Sequence, residues 1–263
     1  MPTSRSAARG RSTSARPRDT TSRSASAEAP GGCYTTARVT RGEVLHLGRH
    51  VARIVRDATL LGIGPLDPEA CRAALVADAR CTFPDREGII RLEARAAPGG
   101  AHRLVATARE LGPEPACWRA ALAREAHPGP SAWSAAKTSE RALYERALAE
   151  VPGADEVLLA DAGGFLVEGA RTSLAVVLAS GALVTPPLAR GAQAGIGRAI
   201  LLARTPELVE ADVTIAALAT ARELVAVNAV RGARPVVTLG GQPVGAGVPG
   251  PWSERLADAF RAG

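Results

Sequence analysis

Short segments of β-forming residues alternate with segments of helical periodicity from Cys33 onward, and this alternation constrains the fold more than any other feature. The predicted strands span 33–40, 43–47, 88–96, 102–108, 156–160, 165–167, 173–178, 183–185, 209–214 and 224–227. The predicted helices span 50–61, 68–77, 139–149, 196–203 and the segment that starts at Trp252. Strands and helices mixed in this way, with hairpins among the strands, predict an α+β or mixed α/β fold in two lobes.

The first two predicted helices have distinctive faces and ends. The helix at 50–61 has one apolar face, and Arg53 lies off that face. Asp67 is predicted to cap the second helix, because a carboxylate before the first turn accepts hydrogen bonds from unpaired N–H groups. Pro68 suits the first position of this helix, where its missing N–H is not needed.

Composition divides the chain into four segments. Residues 1–30 are rich in Ser and Arg and have almost no bulky apolar side chain, so this tail is predicted to be disordered. A targeting or nucleic-acid-binding tail and a wrongly assigned start codon are the alternatives. The stretch PGPSAWS predicts a linker at 128–136, between a small N-terminal α/β domain at 31–127 and a larger C-terminal domain at 137–263.

The charge of the chain belongs mainly to its tail. Residues 1–30 carry six arginines and two acidic residues, a net charge of +4, which leaves +2 of the total of +6 for the rest. The aromatic content of 3% argues against a stacking platform for single-stranded nucleic acid. No apolar run reaches the roughly 18 residues that a transmembrane helix needs. We therefore expect neither a nucleic-acid partner for the folded part nor a membrane span.

The four cysteines are scattered along the sequence. They form no CxxC pair, and no histidine is spaced from them as a zinc ligand would be. Neither a metal site nor a disulfide framework is expected. This use of cysteine is typical of a reducing compartment and predicts a cytoplasmic protein.

One amine stands out against the basic residues. Of the 32 lysines and arginines, Lys137 alone is a lysine. A single surviving lysine indicates a position where guanidinium cannot replace an amine, and Schiff-base chemistry is such a case because arginine stays protonated. The alternative is that one lysine remained by chance.

The segments around this lysine fit a binding cleft. Lys137 follows the predicted linker, where two lobes would meet. Glu168 follows an apolar strand, and Gly195-Ile196-Gly197 opens a helix whose free N–H groups suit a phosphate. A second possible anion-binding turn begins at Asn228.

Several short motifs, taken in order, resemble the class IV aminotransferase family of fold-type IV enzymes that use pyridoxal phosphate (PLP). They are GCYTTARVTRGEVLHLGRHVARI near the start, the lysine of KTSER, and VNAV followed by RPV. The resemblance runs from about residue 31 to the end of the sequence, and within the family it points to the aminodeoxychorismate lyases. It implies a two-lobed homodimeric enzyme with the active site between the lobes, acting on a small amino substrate.

The resemblance also implies roles for individual residues. Lys137 would hold PLP as a Schiff base and then move protons, and Glu168 would face the pyridine nitrogen. The phosphate would be bound by Arg53, in the pattern His50-x-x-Arg53, and by four backbone positions, namely Ile196, Gly197, Asn228 and Ala229. His50 itself is expected to be structural. The candidates for binding a substrate carboxylate are Arg38, Arg91 and Arg95.

Three functions stay open at this point. A lyase would convert 4-amino-4-deoxychorismate into 4-aminobenzoate and pyruvate for folate synthesis. The first alternative is a transaminase for D- or branched-chain amino acids, and the second is a non-catalytic relative. Departures from the family pattern motivate the alternatives: Ser173 replaces an asparagine, Glu140 stands where lyases usually have asparagine, and the usual opening strand is missing.

Overall fold

A computed structural model describes residues 31–262, so the predicted tail at 1–30 lies outside the described residues. The strands are β1 (Gly32–Thr40), β2 (Glu43–Val44), β3 (Glu87–Ala96), β4 (His102–Glu110), β5 (Trp118–Leu122), β6 (Glu156–Ala160), β7 (Leu166–Gly169), β8 (Ser173–Val177), β9 (Leu183–Thr185), β10 (Val209–Glu210), β11 (Glu223–Asn228), β12 (Gly232–Leu239) and β13 (Gln242–Pro243). The helices are α1 (Leu47–Leu60), α2 (Pro68–Thr82), α3 (Ala142–Glu150), α4 (Ile196–Arg204), α5 (Ile215–Ala219) and α6 (Pro251–Arg261). The prediction of a mixed α/β fold is confirmed.

The smaller sheet is antiparallel, with strand order β2-β1-β3-β4. Thr35 of β1 lies opposite Leu92 of β3, and both are fully buried on the face that α1 and α2 cover. The neighbouring pair, Thr36 and Arg91, faces the other way because side chains alternate along a strand. This second face borders the cleft described below.

The two helices on this sheet follow the predicted pattern, but each is extended at one end, and α1 begins at Leu47 rather than at His50. Asp67 caps α2 by accepting a hydrogen bond from the N–H of Glu69 at 2.9 Å, as predicted. The helix continues to Thr82 rather than ending near Ala77, because 78–82 contain no glycine or proline and Ala79 keeps the buried face continuous. Arg53 lies off the apolar face of α1, yet its side chain is buried because the cleft side of the helix is also covered.

The larger sheet has the order β10-β9-β8-β11-β12-β5-β6-β7, with β13 paired to β12. Strand β5 is parallel to both β12 and β6, whereas β12 is antiparallel to β11. Helices α4 and α6 cover one face of this sheet, where Ile200, Leu201 and Leu256 are buried against Val225 and Val227.

Three strands of the larger sheet, β5, β12 and β13, were not predicted, and β5 bears on the domain boundary. The predicted small domain at 31–127 includes β5, but the structure pairs β5 with the larger sheet. The chain therefore passes from one sheet to the other at 111–117, before the predicted linker at 128–136. Strand β12 escaped prediction because Pro235 cannot donate a ladder hydrogen bond, which argues against a central strand.

Three other predicted elements are clearly shorter in the structure, and the first is the strand predicted at 43–47, which is limited to Glu43–Val44. Helix α3 begins at Ala142 rather than at Ser139, because Ser139 donates its N–H to the carbonyl of Gly32 at 2.8 Å and so extends the smaller sheet. The strand predicted at 209–214 is limited to Val209–Glu210, because Thr214 instead caps the short helix α5.

Candidate active site

A cleft of about 580 Å³ lies between the two sheets. Its walls come from β1, α1 and β3 on one side and from β7, β11 and the start of α4 on the other. Of the predicted site residues, those in the lining are Arg53, Arg91, Lys137, Glu168, Ile196, Gly197, Asn228 and Ala229.

The backbone of Lys137 is fixed by the smaller lobe. Its carbonyl accepts a hydrogen bond from the N–H of Tyr34 at 2.9 Å. Its own N–H donates to Oδ2 of Asp57 at 2.9 Å, and Asp57 is completely buried in α1. The main chain of Lys137 is therefore fixed beside β1, and its side chain extends from there into the cleft.

The amine of Lys137 lies in a setting that favours its neutral form. Nζ donates a hydrogen bond to Oε1 of Gln193 at 3.0 Å and lies 4.9 Å from the centre of the Tyr34 ring. Burial, followed by the positive charges of Arg141 and Arg53, lowers the pKa of Lys137 well below its ordinary value of 10.5. A lysine with a lowered pKa is a better nucleophile at neutral pH, because more of the amine carries a free lone pair.

Glu168 is held by donors on both carboxylate oxygens. It lies on β7 and is 5% exposed. Oε1 accepts a hydrogen bond from the Tyr144 hydroxyl at 2.5 Å, and Oε2 accepts one from the N–H of Gln193 at 2.9 Å. These bonds fix the orientation of the carboxylate in the cleft.

A buried histidine and the phenol of Tyr144 back this carboxylate. Nε2 of His127 lies 3.8 Å from Oε1 of Glu168. Burial lowers the pKa of His127, and burial together with the negative charge of Glu168 raises the pKa of Tyr144. Both groups are therefore uncharged at neutral pH. The sequence analysis missed His127, Tyr144 and Gln193.

Arg53 is a buried cation that has an N–H group without a hydrogen-bond acceptor among the described residues. Its Nη2 donates to Oγ1 of Thr35 at 2.7 Å, and within 31–262 its buried Nε has no hydrogen-bond partner. Burial lowers its pKa to about 10, so the guanidinium is still charged at neutral pH. A buried charge without an ion pair is costly, which indicates that an anionic group completes this site.

Thr35 links Arg53 to His50. Oγ1 of Thr35 and Nδ1 of His50 lie 2.7 Å apart. Burial lowers the pKa of His50 well below its ordinary value of 6.5, so the imidazole is neutral and Nδ1 shares a hydrogen bond with the threonine hydroxyl. His50 thus has a structural place in the fold, and it aligns the hydroxyl that receives the arginine.

The start of α4 meets the turn after β11 at one end of the cleft. No side chain caps α4, whose preceding residue is Gly195, so the first N–H groups of the helix are free for a ligand. A Cβ atom on Gly197 would lie 2.7 Å from Cγ2 of Val227 and 3.2 Å from Cα of Asn228, so only glycine permits this approach. The side chain of Asn228 holds its own turn by accepting the N–H of Val230 at 3.0 Å.

The three candidate arginines for a substrate carboxylate lie in different places. Arg91 lines the cleft and stacks on Tyr34, with its guanidinium carbon 3.6 Å from the ring centre. Arg38 lies further along β1 and pairs with Glu87 at 2.6 Å, and Arg95 pairs with Glu93 at 2.9 Å near the other end of β3. Neither Arg38 nor Arg95 is in the cleft lining, because each lies too far along its strand.

These residues fit a cofactor that carries both an aldehyde and a phosphate. The unpaired Nε of Arg53 and the free N–H groups of α4 supply donors for a phosphate. The amine of Lys137 can bond an aldehyde carbon, and the carboxylate of Glu168 in the same cleft suits a protonated ring nitrogen. Within 31–262, no group of three His, Cys, Asp or Glu side chains is close enough to bind a metal ion.

The chain belongs to the class IV aminotransferase family. The family model for class IV amino-transferases matches residues 32–239, which is most of the chain. The protein is therefore a PLP-dependent enzyme of the lyase or aminotransferase type, with the fold-type IV architecture that the sequence predicted. No curated protein matches the chain.

Solved structures of three related proteins share the fold. A 4-amino-4-deoxychorismate lyase from Pseudomonas aeruginosa is 28% identical, with a TM-score of 0.75 over 88% of this chain and 90% of that one. A branched-chain aminotransferase from Thermoproteus uzoniensis with norvaline is 24% identical, with a TM-score of 0.77 over 88% and 84%. A hypothetical aminotransferase from Mycobacterium tuberculosis, in its PLP-bound form, is 21% identical, with a TM-score of 0.75 over 88% of each chain.

Two further observations concern the environment of the protein. None of the helices within 31–262 is long and apolar enough to span a membrane. All four cysteines are free thiols, and Cys33 and Cys71 are buried.

Proposed function

We propose that this enzyme is an aminodeoxychorismate lyase, which releases pyruvate from 4-amino-4-deoxychorismate and leaves 4-aminobenzoate. The observation that carries the proposal is the setting of the only lysine in the chain: its amine lies in the cleft, 3.0 Å from Oε1 of Gln193, with a lowered pKa. The 28% identity to the P. aeruginosa lyase supports this choice within the family.

In this proposal each cleft residue has a role toward the cofactor. Lys137 bonds the aldehyde carbon of PLP, and Glu168 faces the pyridine nitrogen, where its negative charge keeps the ring protonated. Arg53 binds the phosphate with its unpaired donor. The other phosphate donors are backbone N–H groups at Ile196, Gly197, Asn228 and Ala229.

PLP, when bound, supplies an electron sink for the bonds next to the substrate nitrogen. The protein moves the proton: the free amine of Lys137 removes it from the ring carbon that carries the substrate amino group. Loss of the enolpyruvyl group then makes the substrate ring aromatic. The departing group takes up the proton that Lys137 removed, so the products are 4-aminobenzoate and pyruvate. Tyr34 and Arg91, which stack on each other in the wall of the cleft, would contact the substrate, and Arg91 would bind a carboxylate.

A transaminase for branched-chain or D-amino acids is the second candidate. Glu140 favours it, because this exposed residue stands where lyases usually have an asparagine. The fold of the T. uzoniensis aminotransferase also fits the chain closely. A transaminase would use the same lysine but would need a keto acid as the second substrate.

The two candidates differ in what they need to turn over. The purified protein, loaded with PLP, is assayed for pyruvate release from 4-amino-4-deoxychorismate without any keto acid, and separately with alanine or a branched-chain amino acid plus 2-oxoglutarate. We expect pyruvate release in the first assay and little transfer in the second. Turnover that depends strictly on the keto acid would overturn the lyase proposal in favour of the transaminase.

The role of Lys137 has its own test. Borohydride is expected to fix the bound cofactor onto the peptide that contains Lys137, and Lys137→Arg is expected to remove the visible absorbance band of the cofactor while it keeps the positive charge. A band that survives in the variant would exclude a covalent role for this amine.

We also propose a homodimer in the cytoplasm that serves folate synthesis. The homodimer follows from the resemblance to the family, and the four free thiols support a reducing compartment. Light scattering on the purified protein tests the dimer, and rescue of a folate-pathway mutant that lacks 4-aminobenzoate tests the pathway.

A further inference from the structure

Gln193 makes four hydrogen bonds in the cleft, one of which joins its carbonyl to the N–H of Gly195 at 2.8 Å. Its Oε1 accepts from Nζ of Lys137 at 3.0 Å, its Nε2 donates to the carbonyl of Ala136 at 3.3 Å, and its backbone N–H donates to Glu168 at 2.9 Å. The orientation of the side-chain amide is set by these partners, since a flipped amide would point a donor at the amine and an oxygen at the carbonyl. Gln193 therefore joins the proposed proton carrier to the proposed ring-side carboxylate.

The charged groups around the amine explain why such an acceptor matters. Arg53, Arg91 and Arg141 surround Lys137 with positive charge from α1, β3 and the segment before α3. Glu168 is the negative group that faces the amine, and the ring of Tyr34 lies on the β1 side. In this field a protonated amine is repelled from the cleft unless an oxygen close to it accepts a hydrogen bond.

We propose that Gln193 is a positioning residue that holds the free amine of Lys137 inside the cleft, beside Glu168. The inference rests on the proposed function, in which Lys137 leaves the cofactor and carries a proton. Oε1 of Gln193 accepts a hydrogen bond from the amine in either protonation state, and it favours the protonated one because the amine is then a stronger donor. The amine thus stays within reach of the departing enolpyruvyl group, to which it gives its proton.

The sequence permits a direct measurement of this amine. Lys137 is the only lysine, so a trace amount of acetic anhydride labels one side-chain amine, and mass spectrometry of its peptide gives the fraction labelled at each pH. The cofactor-free protein is used, so the readout does not depend on activity. We expect Gln193→Leu to lower the apparent pKa of Lys137 by about one unit, because the ammonium loses a hydrogen-bond acceptor.

Two further variants are expected to raise the apparent pKa of Lys137 or to leave it unchanged. Gln193→Glu is expected to raise the apparent pKa, because it adds a negative charge next to the amine. Gln242→Leu changes the other glutamine of the chain, which is exposed on β13, and is expected to leave the titration unchanged. Gln193→Met also removes the acceptor without branching, and it replaces the leucine variant if circular dichroism shows that the latter is unfolded.

The inference is overturned if Lys137 titrates alike in the wild type and in the leucine or methionine variant, or if Gln193→Glu moves the pKa in the same direction as these. Failure of the proposed function would be recognised separately, as a wild-type protein whose Lys137 does not take up PLP. If the protein binds PLP but the pKa of Lys137 is the same in the Gln193 variants as in the wild type, the proposed function stands and only the inference about Gln193 is overturned.

Discussion

The hydroxyl of Tyr144 donates a hydrogen bond to Oε1 of Glu168 at 2.5 Å, across the gap between α3 and β7. Arg141 stacks on the face of the same tyrosine ring, with its guanidinium carbon 3.7 Å from the ring centre. The tyrosine thus contacts a cation through its ring and a carboxylate through its hydroxyl. Through these contacts Tyr144 connects α3, the helix that follows Lys137, to Glu168, the residue proposed to face the cofactor ring.

Removing this hydroxyl is expected to weaken both the fold and the cofactor site. Tyr144→Phe deprives a buried carboxylate of one of its donors, so we expect the free energy of unfolding to fall by about 2 kcal/mol. Urea denaturation of the cofactor-free protein measures this loss. Tyr34→Phe, at the only other tyrosine, is the matched control and should cost less. Equal losses in the two variants would show that the contact with Glu168 adds nothing.

Thr35→Val is expected to weaken phosphate binding selectively. The variant keeps the shape of the side chain but removes the oxygen that accepts Nη2 of Arg53 at 2.7 Å. We expect the affinity for PLP to fall about tenfold, which is the effect of losing one hydrogen bond. Pyridoxal, which lacks the phosphate, should bind the variant and the wild type equally. An equal loss for both ligands would contradict a role for Thr35 in orienting the phosphate-binding arginine.

Two glycine-to-alanine changes are expected to have opposite effects. In Gly197→Ala the new methyl group meets Cγ2 of Val227 at 2.7 Å, so the start of α4 must shift away from the turn at Asn228. We expect a loss of about 1–3 kcal/mol in the free energy of unfolding and weaker binding of PLP. Gly48→Ala in α1 meets no atom within 4 Å and should stabilise the helix by about 0.5 kcal/mol. Denaturation curves of the two variants test both predictions. A Gly197→Ala protein as stable as the wild type would contradict the first.

Acid should destabilise the protein partly through His50. Its pKa is lowered in the folded state, so below pH 6.5 the unfolded chain binds a proton that the folded chain does not, and the free energy of unfolding falls. One such histidine contributes up to about 1.4 kcal/mol per pH unit. His50→Asn keeps an acceptor for Thr35 but cannot titrate, so its stability should depend less on pH.

The comparison for His50→Asn is a histidine at the surface. His102 is exposed on strand β4, and the stability of His102→Asn is expected to depend on pH as that of the wild type does. Urea denaturation at a series of pH values gives both slopes. Identical slopes for wild type and His50→Asn would refute the assignment.

Local patterns were enough to predict most of the smaller lobe. Strand β1 and the hairpin of β3 and β4 were predicted within one or two residues, because alternation and the Pro-Gly-Gly turn are encoded in contiguous sequence. The larger sheet was harder to predict. Its strand β5 is flanked by partners more than 30 residues away, so no neighbouring turn marks it.

The candidate site shows the same division. Lys137 was recognisable because a residue count isolates it, and Glu168 because of its motif. Tyr144 resembles any partly exposed residue of an amphipathic helix, and only the packing of α3 against β7 brings it to the carboxylate. Thr35 left a usable trace, a polar side chain on the apolar face of β1, which implies a buried hydrogen-bond partner.

The order of strands in the two sheets has a consequence for how the protein is made. Every pairing between β1, β2, β3 and β4 joins residues within 32–110, whereas Trp118 of β5 must await Val236 of β12. Contacts between near neighbours form sooner than distant ones. The pairing of β1, β3 and β4 can therefore form while β12 is still being synthesised, so we expect the wall of the cleft that carries Thr35 to assemble before the wall that depends on β12.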